Sequence, residues 1–249
     1  MQAAAWTGAV AHLVECPLLH AMRAPGTTCI QSLRDLAEGM HGELNDSKGC
    51  GALMRVSPVA WLAATQPQSW RHQAAITSAT LTHHHPLAAS TSAVMSELCW
   101  QMLYKEQNLS DALTKALELT ECDHALSELL VSAIEEGRDW QPDPVNDHLP
   151  WGDGWVTEET LASALAIAAN AKQRPLSKSL ALAANHGGDS DSVASVTGHI
   201  LGLQQLPDAA LIIFTLKLAE FAPIADAAAM AAQIMATEHS QRAERQCHV

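Results

Sequence analysis

Asn185-His186-Gly187-Gly188-Asp189-Ser190-Asp191-Ser192 runs directly into Val193-Ala194-Ser195-Val196-Thr197-Gly198-His199-Ile200-Leu201-Gly202-Leu203. The second half is rich in Ala, Val, Ile and Leu and reads as a helix. The Asp and Ser residues before it can accept hydrogen bonds from the unpaired N–H groups of its first turn. A helix starting there would bring Asp189, Asp191 and Ser192 to one point. Carboxylate and hydroxyl oxygens suit magnesium, manganese or calcium, whereas zinc sites usually recruit imidazole or thiolate. The plainer alternative is a solvated Asx/Ser cap after a glycine turn, and the D-x-D-S tetrad alone does not separate the two.

On either side of this stretch, helical candidates follow one another at 3–16, 28–38, 52–64, 69–80, 87–104, 110–119, 125–136, 158–171, 176–184, 192–203, 209–220 and 227–238. Polar or Pro/Gly breaks separate them, and no segment alternates with the period of two that marks a half-buried strand. Leu161, Leu165, Ala168 and Ala169 recur at helical spacing, as do Leu176, Leu180 and Ala183, and such stripes are core. The expectation is an all-α chain with one domain over 1–240 and a polar tail over 241–249. The polar loop at 39–51, the histidine-rich turn at 82–86 and the Pro/Gly-rich segment at 141–154 can line a pocket if they meet at one end of the bundle.

Composition narrows the function. The 249 residues suffice for one sizeable core, and 48% of them are hydrophobic against 16% charged. With only 2 Phe and 1 Tyr beside abundant Ala and Leu, packed helices are favoured over sheets. A formal charge of −13 argues against nonspecific nucleic-acid binding, which needs clustered Lys and Arg to displace counterions. An anionic nucleotide ligand would need a local remedy from metal ions, backbone N–H groups or a few placed cations. Cys16, Cys29, Cys50, Cys99, Cys122 and Cys247 form no C-x-x-C pair, which speaks against a zinc cluster and a disulfide scaffold. No stretch reaches the ~18 apolar residues of a membrane span. The alanine-rich start has no basic n-region and carries His12 and Glu15 where an apolar core should run. The expectation is a cytoplasmic protein that engages neither membrane nor nucleic acid.

Four loop segments lie in order along the chain. They are Ser47-Lys48-Gly49-Cys50-Gly51-Ala52-Leu53-Met54-Arg55-Val56-Ser57-Pro58; Ile76-Thr77 through Thr82-His83-His84-His85-Pro86; Gly152-Asp153-Gly154-Trp155-Val156-Thr157-Glu158-Glu159-Thr160; and Gly187-Gly188-Asp189-Ser190-Asp191-Ser192 followed by Gly198-x-x-x-Gly202. They resemble the S-x-G-N-G-x-x-M-R-[IV]-[AS]-P, T-H-x-[HD]-P, G-x-G-[WY]-V-x-[ED] and G-G-D-[ST]-D-[ST]…G-x-x-x-G segments of the ADP-ribosylglycohydrolase family, the dinitrogenase-reductase-activating glycohydrolase type. Cys50 stands where Asn is commoner. The resemblance runs from about residue 24 to residue 220.

The resemblance implies an all-α, single-domain, orthogonal multi-helix bundle that hydrolyses the glycosidic bond joining ADP-ribose to a protein side chain. Arginine is favoured over serine as the acceptor. Asp189, Asp191 and Ser192 inherit the role of ligands to a magnesium pair, with Mn²⁺ as a substitute, and Asp189 and Asp191 that of catalytic residues. Ser47, Gly49, Cys50, Gly51 and Met54 correspond to a loop that approaches ADP-ribose, with a helix beginning near Ala52 aiming N–H groups at the diphosphate. His83 aligns with a histidine near the nucleotide. Gly152, Gly154 and Trp155 belong to a further ligand-facing loop, where Trp155 either covers the adenosine or packs. His186 either bonds the carboxylates or is an ordinary loop histidine, and His84 and His85 read as a solvated turn and a helix-start residue.

Two family segments, G-D-x-x-G and [ST]-D-D-[ST], supply the rest of the two-metal site, and neither occurs in these 249 residues. Met22-Arg23-Ala24-Pro25-Gly26-Thr27-Thr28-Cys29 already resembles an internal part of the family, so the expectation places the missing piece before Met1. Three oxygen ligands would hold one magnesium ion or none. Apolar surface left uncovered would favour a homo-oligomer. The competing function is therefore a catalytically impaired member that binds ADP-ribose, an ADP-ribosylated protein or another partner without turnover.

Overall fold

The structure is a computed structural model that describes residues 25–38, 45–143, 147–171, 174–204 and 209–217, with scattered positions from 222 to 236. The helical candidate at 3–16 and the tail over 241–249 lie outside the described residues, as does most of the candidate at 227–238. The described helices are α1 (Thr27–Ala37), α2 (Gly51–Met54), α3 (Ser57–Trp61), α4 (Gln68–Thr80), α5 (Pro86–Lys105), α6 (Leu109–Thr120), α7 (His124–Gly137), α8 (Thr157–Asn170), α9 (Leu176–Ala184), α10 (Ser190–Gln204) and α11 (Ala209–Thr215). Among the described residues there is no strand, only an isolated antiparallel bridge between Gly49 and Val156. The fold is all-α. No helix among the described residues is long and apolar enough to cross a membrane.

Two helices form the centre. Residues 91–102 of α5 and 161–168 of α8 are buried on every face, the signature of a helix enclosed by others. Their composition allows it, because Ala, Ser and Thr let neighbours come close while Leu98, Leu161 and Leu165 fill the space between. Each fully buried leucine contributes about 1.5–3 kcal/mol. The tightest crossing is at Gly137 near the end of α7, where a Cβ would lie 2.5 Å from Ala166 Cα on α8. Leu113 and Leu130, from α6 and α7, complete this side of the core.

The helix starts follow local chemistry. Asn108 accepts hydrogen bonds from the N–H groups of Ser110 and Asp111, Asp123 from Leu126, and His85 Nδ1 from Leu87. His85 is thus a helix-start residue, as expected. One expected helix is wrong in form: 52–64 is broken into α2 and α3. Pro58 has no N–H for the carbonyl of Met54, and its ring would clash with that carbonyl. Met54 is the last residue of α2, and Pro58 sits in the first turn of α3, where proline is tolerated.

Candidate functional site

Three loops meet where α2, α8 and α10 begin. Backbone pairing joins the first two, since Gly49 bridges Val156 and the Thr157 N–H donates to Lys48 O at 2.9 Å. The Lys48 ammonium pairs with the Glu158 carboxylate across the same seam. The second and third loops are joined by Gly187 N–H to Asp147 O at 2.9 Å and Asp189 N–H to Asp153 O at 2.7 Å. Gly188 makes that approach feasible, because a Cβ there would lie 2.0 Å from Asp153 O. Gly154 has φ +81°, and a Cβ on it would meet Val193 Cγ2 at 2.6 Å. Gly154 and Gly188 are thus required by the close contacts made here.

At the junction lie Cys50, Asp189, Asp191 and Ser192. The Cys50 thiol donates to Asp189 Oδ2 at 3.0 Å and lies 3.1 Å from Ser192 Oγ, whose own hydroxyl faces Met54 Sδ at 3.2 Å. Burial, reinforced by the adjacent Asp189 carboxylate, pushes this thiol up to about 12. Cys50 is therefore a neutral hydrogen-bond donor to Asp189. The Asp191 carboxyl is held above the usual carboxylate range by burial first, then by its hydrogen bond and charge contact with Asp189; the backbone N–H groups of Asp191 and Ser192 oppose this. Two carboxyl groups in contact, one resisting ionisation, form a place where added positive charge is favourable. Two carboxyls and a hydroxyl are donors of the kind a hard cation takes. Among the described residues, however, no group of three His, Cys, Asp or Glu is arranged to hold a metal ion.

His83 comes from the turn after α4 and closes the loop from the other side. Its Nε2 lies 3.3 Å from where a Gly49 Cβ would be, and its Cε1 3.3 Å from a Gly51 Cβ. Ser47 fixes the start of this loop, with its Oγ 3.2 Å from Thr28 Oγ1 of α1 and its N–H bonded to Asn45 Oδ1. Trp155 is 61% exposed beside Gly154, so it does not serve as packing. The nine expected ligand-facing residues, Ser47, Gly49, Cys50, Gly51, Met54, His83, Gly152, Gly154 and Trp155, thus lie on α2 or on loops that join the Asp189–Asp191 junction or abut its neighbours.

One expectation changes, and one of two open alternatives is selected. The helix expected near Ala52 is the single turn α2, too short to present a row of N–H groups to a diphosphate. His186 does not bond the carboxylates: its Nδ1 accepts the Gly188 N–H at 3.1 Å, and burial lowers its pKa. Sequence analysis assigned no site role to several residues that organise the site, namely the Lys48–Glu158 pair, Arg55, Thr82 and Asn45. Arg55, Thr82 and Glu158 stand at fixed positions of the quoted segments, and Asn45 carried a local signal, an Asn two residues before a Ser in a polar turn. A separate cavity of about 560 Å³ is lined by residues including Met102, Leu109, Arg138 and Ala168, and none of the expected site residues lines it.

No curated protein matches the chain. The family model described as ADP-ribosylglycohydrolase matches residues 2–212, and these span all four converging segments. The chain belongs to the ADP-ribosylglycohydrolase family.

Proposed function

We propose that this chain binds ADP-ribose, free or attached to a protein, across the 47–51, 152–155 and 187–192 loops and hydrolyses its glycosidic bond, with the N-glycosidic bond to arginine as the favoured substrate. The family acts as glycohydrolases on ADP-ribose, which gives the coarser half of this reading. The observation that supports placing the site here is the contact of Asp189 with Asp191 beside Ser192, at the meeting point of the glycine loops; the arginine preference rests on the family resemblance alone.

Asp189, Asp191 and Ser192 would hold one Mg²⁺ or Mn²⁺, whose chemistry when bound is to orient ribose hydroxyls and polarise an oxygen near the anomeric carbon. The chain's own groups do the rest. The Cys50 thiol fixes the Asp189 carboxylate by a hydrogen bond, and Ser192 is fixed by Cys50 and Met54. Asp191, held above the usual carboxylate range by burial and by Asp189, would give up any proton on binding a cation. The glycines at 49 and 51 admit the ligand close to the backbone, and Trp155 offers an exposed aromatic face at the rim. We also assign the protein to a reducing compartment such as the cytosol, in keeping with the free thiols of Cys29, Cys50, Cys99 and Cys122.

A second reading, ADP-ribose binding without turnover, is favoured by one observation: only two carboxylates converge among the described residues. Release of free ADP-ribose from an ADP-ribosylated arginine protein separates the two. Hydrolysis is expected with Mg²⁺, lost with EDTA and reduced at least a hundredfold by Asp189→Ala or Asp191→Ala, on the scale of losing one charge-stabilising group. Activity indifferent to EDTA and to both substitutions would remove the metal role. Binding of ADP-ribose with no release would establish the second reading.

A further inference from the structure

We propose that Thr82, itself held by Arg55, is a positioning residue that keeps the His83 ring proton on Nε2 and aims that N–H at the Gly49–Gly51 loop as a hydrogen-bond donor to the bound ligand. The Arg55 guanidinium can only donate. Its Nη2 reaches Thr82 Oγ1 at 2.6 Å and Ser78 O at 2.7 Å, and its Nη1 reaches Gly51 O at 3.2 Å. Thr82 Oγ1 therefore accepts from the guanidinium, and its own proton must go elsewhere. The neighbour placed to take it is His83 Nδ1, 2.7 Å away. Thr82 is 1% exposed and His83 2%, so water does not compete for these groups.

The reverse arrangement, a proton on Nδ1 donated to Thr82, would leave the buried Thr82 hydroxyl proton without an acceptor among the described residues. With Nδ1 accepting, the neutral ring carries its proton on Nε2. Burial and the nearby Arg55 charge lower the imidazole to about 4, so the ring is neutral at pH 7. No hydrogen bond to Nε2 occurs among the described residues, although it lies 3.3 Å from a Cβ position on Gly49 and 3.6 Å from one on Gly51. A ring 98% enclosed, with an oriented donor left over and turned to a side-chain-free loop, is arranged for an oxygen of the ligand. The backbone of the turn is held independently, since Thr82 O accepts from Ser32 Oγ at 3.1 Å and Asn45 Nδ2 at 2.9 Å. The identity of that ligand as ADP-ribose rests on the function proposed above; the position of the ring proton does not.

The test uses the full chain labelled with ¹⁵N-histidine. Long-range ¹H–¹⁵N correlation spectra of the free protein, with the His83 signals assigned from their loss in His83→Gln, report which ring nitrogen carries the proton. Expected are a protonated Nε2 and a bare Nδ1 in the wild type and in Thr82→Ser, and a mixed or reversed state in Thr82→Val. Calorimetric titration should then show ADP-ribose binding weakened about tenfold in Thr82→Val and restored in Thr82→Ser. A wild-type ring protonated on Nδ1 overturns the proposal, as does a Thr82→Val protein with unaltered tautomer and affinity. A wild type with the Nε2 proton in place that binds no ADP-ribose supports the Thr82 relay and overturns the ADP-ribose reading instead.

Discussion

Gly188 shows how closely the site depends on single positions. It has no Cβ because Asp153 O occupies that space, 2.0 Å from where the atom would sit. Gly188→Ala should force the 147–154 and 185–189 loops apart, cost about 1–3 kcal/mol in urea denaturation and weaken ADP-ribose binding. Gly202 on α10 is the control, with nothing within 4 Å of its Cβ position. Gly202→Ala should be neutral or stabilise by up to about 1 kcal/mol, because alanine is the better helix former. Equal losses from both would contradict the loop-contact explanation. The glycine pair was legible as a motif, but its reason was not, since Asp153 is 35 positions away in sequence and only folding brings its carbonyl there. The same holds for Cys50, whose partner Asp189 is 139 positions distant.

Between elements, the contact that sequence reading had no means to find is the ion pair joining α4 to α5. Arg71 Nε and Nη2 meet Glu97 Oε2 and Oε1 at 3.0 and 2.7 Å, with the guanidinium 3.7 Å from the Trp100 ring centre. Gln101 Nε2 also donates to Glu97 Oε1 at 2.8 Å. Charges in so buried a place are strongly costly to unpair. Glu97→Ala should therefore destabilise the fold by about 3–5 kcal/mol in chemical denaturation, while Arg71→Met combined with Glu97→Leu should cost clearly less. A Glu97→Ala change below 1 kcal/mol would show the pair to be solvated. Helix existence was readable because Ala/Leu spacing along 158–171 and 176–184 matched α8 and α9 to within a residue or two. Helix interruption at 55–56 was not read, although Pro58 carried the signal, because apolar spacing alone continued across it.

Over the whole molecule, buried histidines set an acid limit on stability. Burial lowers His83 to about 4 and also lowers His199 and His186 below the ordinary value of 6.5. The unfolded chain then binds more protons than the folded one between those values, so stability is full above about 6.5 and falls as pH drops toward 4. Asp191 and His148, both with raised values, act in the opposite sense, through Asp189 and burial in one case and through Asp153 in the other. Urea midpoints should decline from pH 7 to pH 4.5, and His83→Gln should flatten part of that slope; a slope unchanged by the substitution would exclude His83 as a contributor. The convergence of four loops could be anticipated from their order along the chain, because together they resembled one family's site. The hydrogen-bonded supports beneath them, Lys48–Glu158 and Arg55–Thr82, are tertiary pairings: Arg55, Thr82 and Glu158 stand in the quoted segments, but which residue each meets is set only by folding.

The glycine loops and the Asp189–Asp191 pair are proposed to form one cation-assisted ADP-ribose site. Isothermal titration of ADP-ribose into the full chain, with Mg²⁺ and with EDTA, on the wild type and on Asp189→Ala, tests it most directly. The expected result is one-to-one binding that weakens at least tenfold both on chelation and on substitution, with no further loss when the two are combined. Absence of binding, or binding that neither change affects, would contradict it.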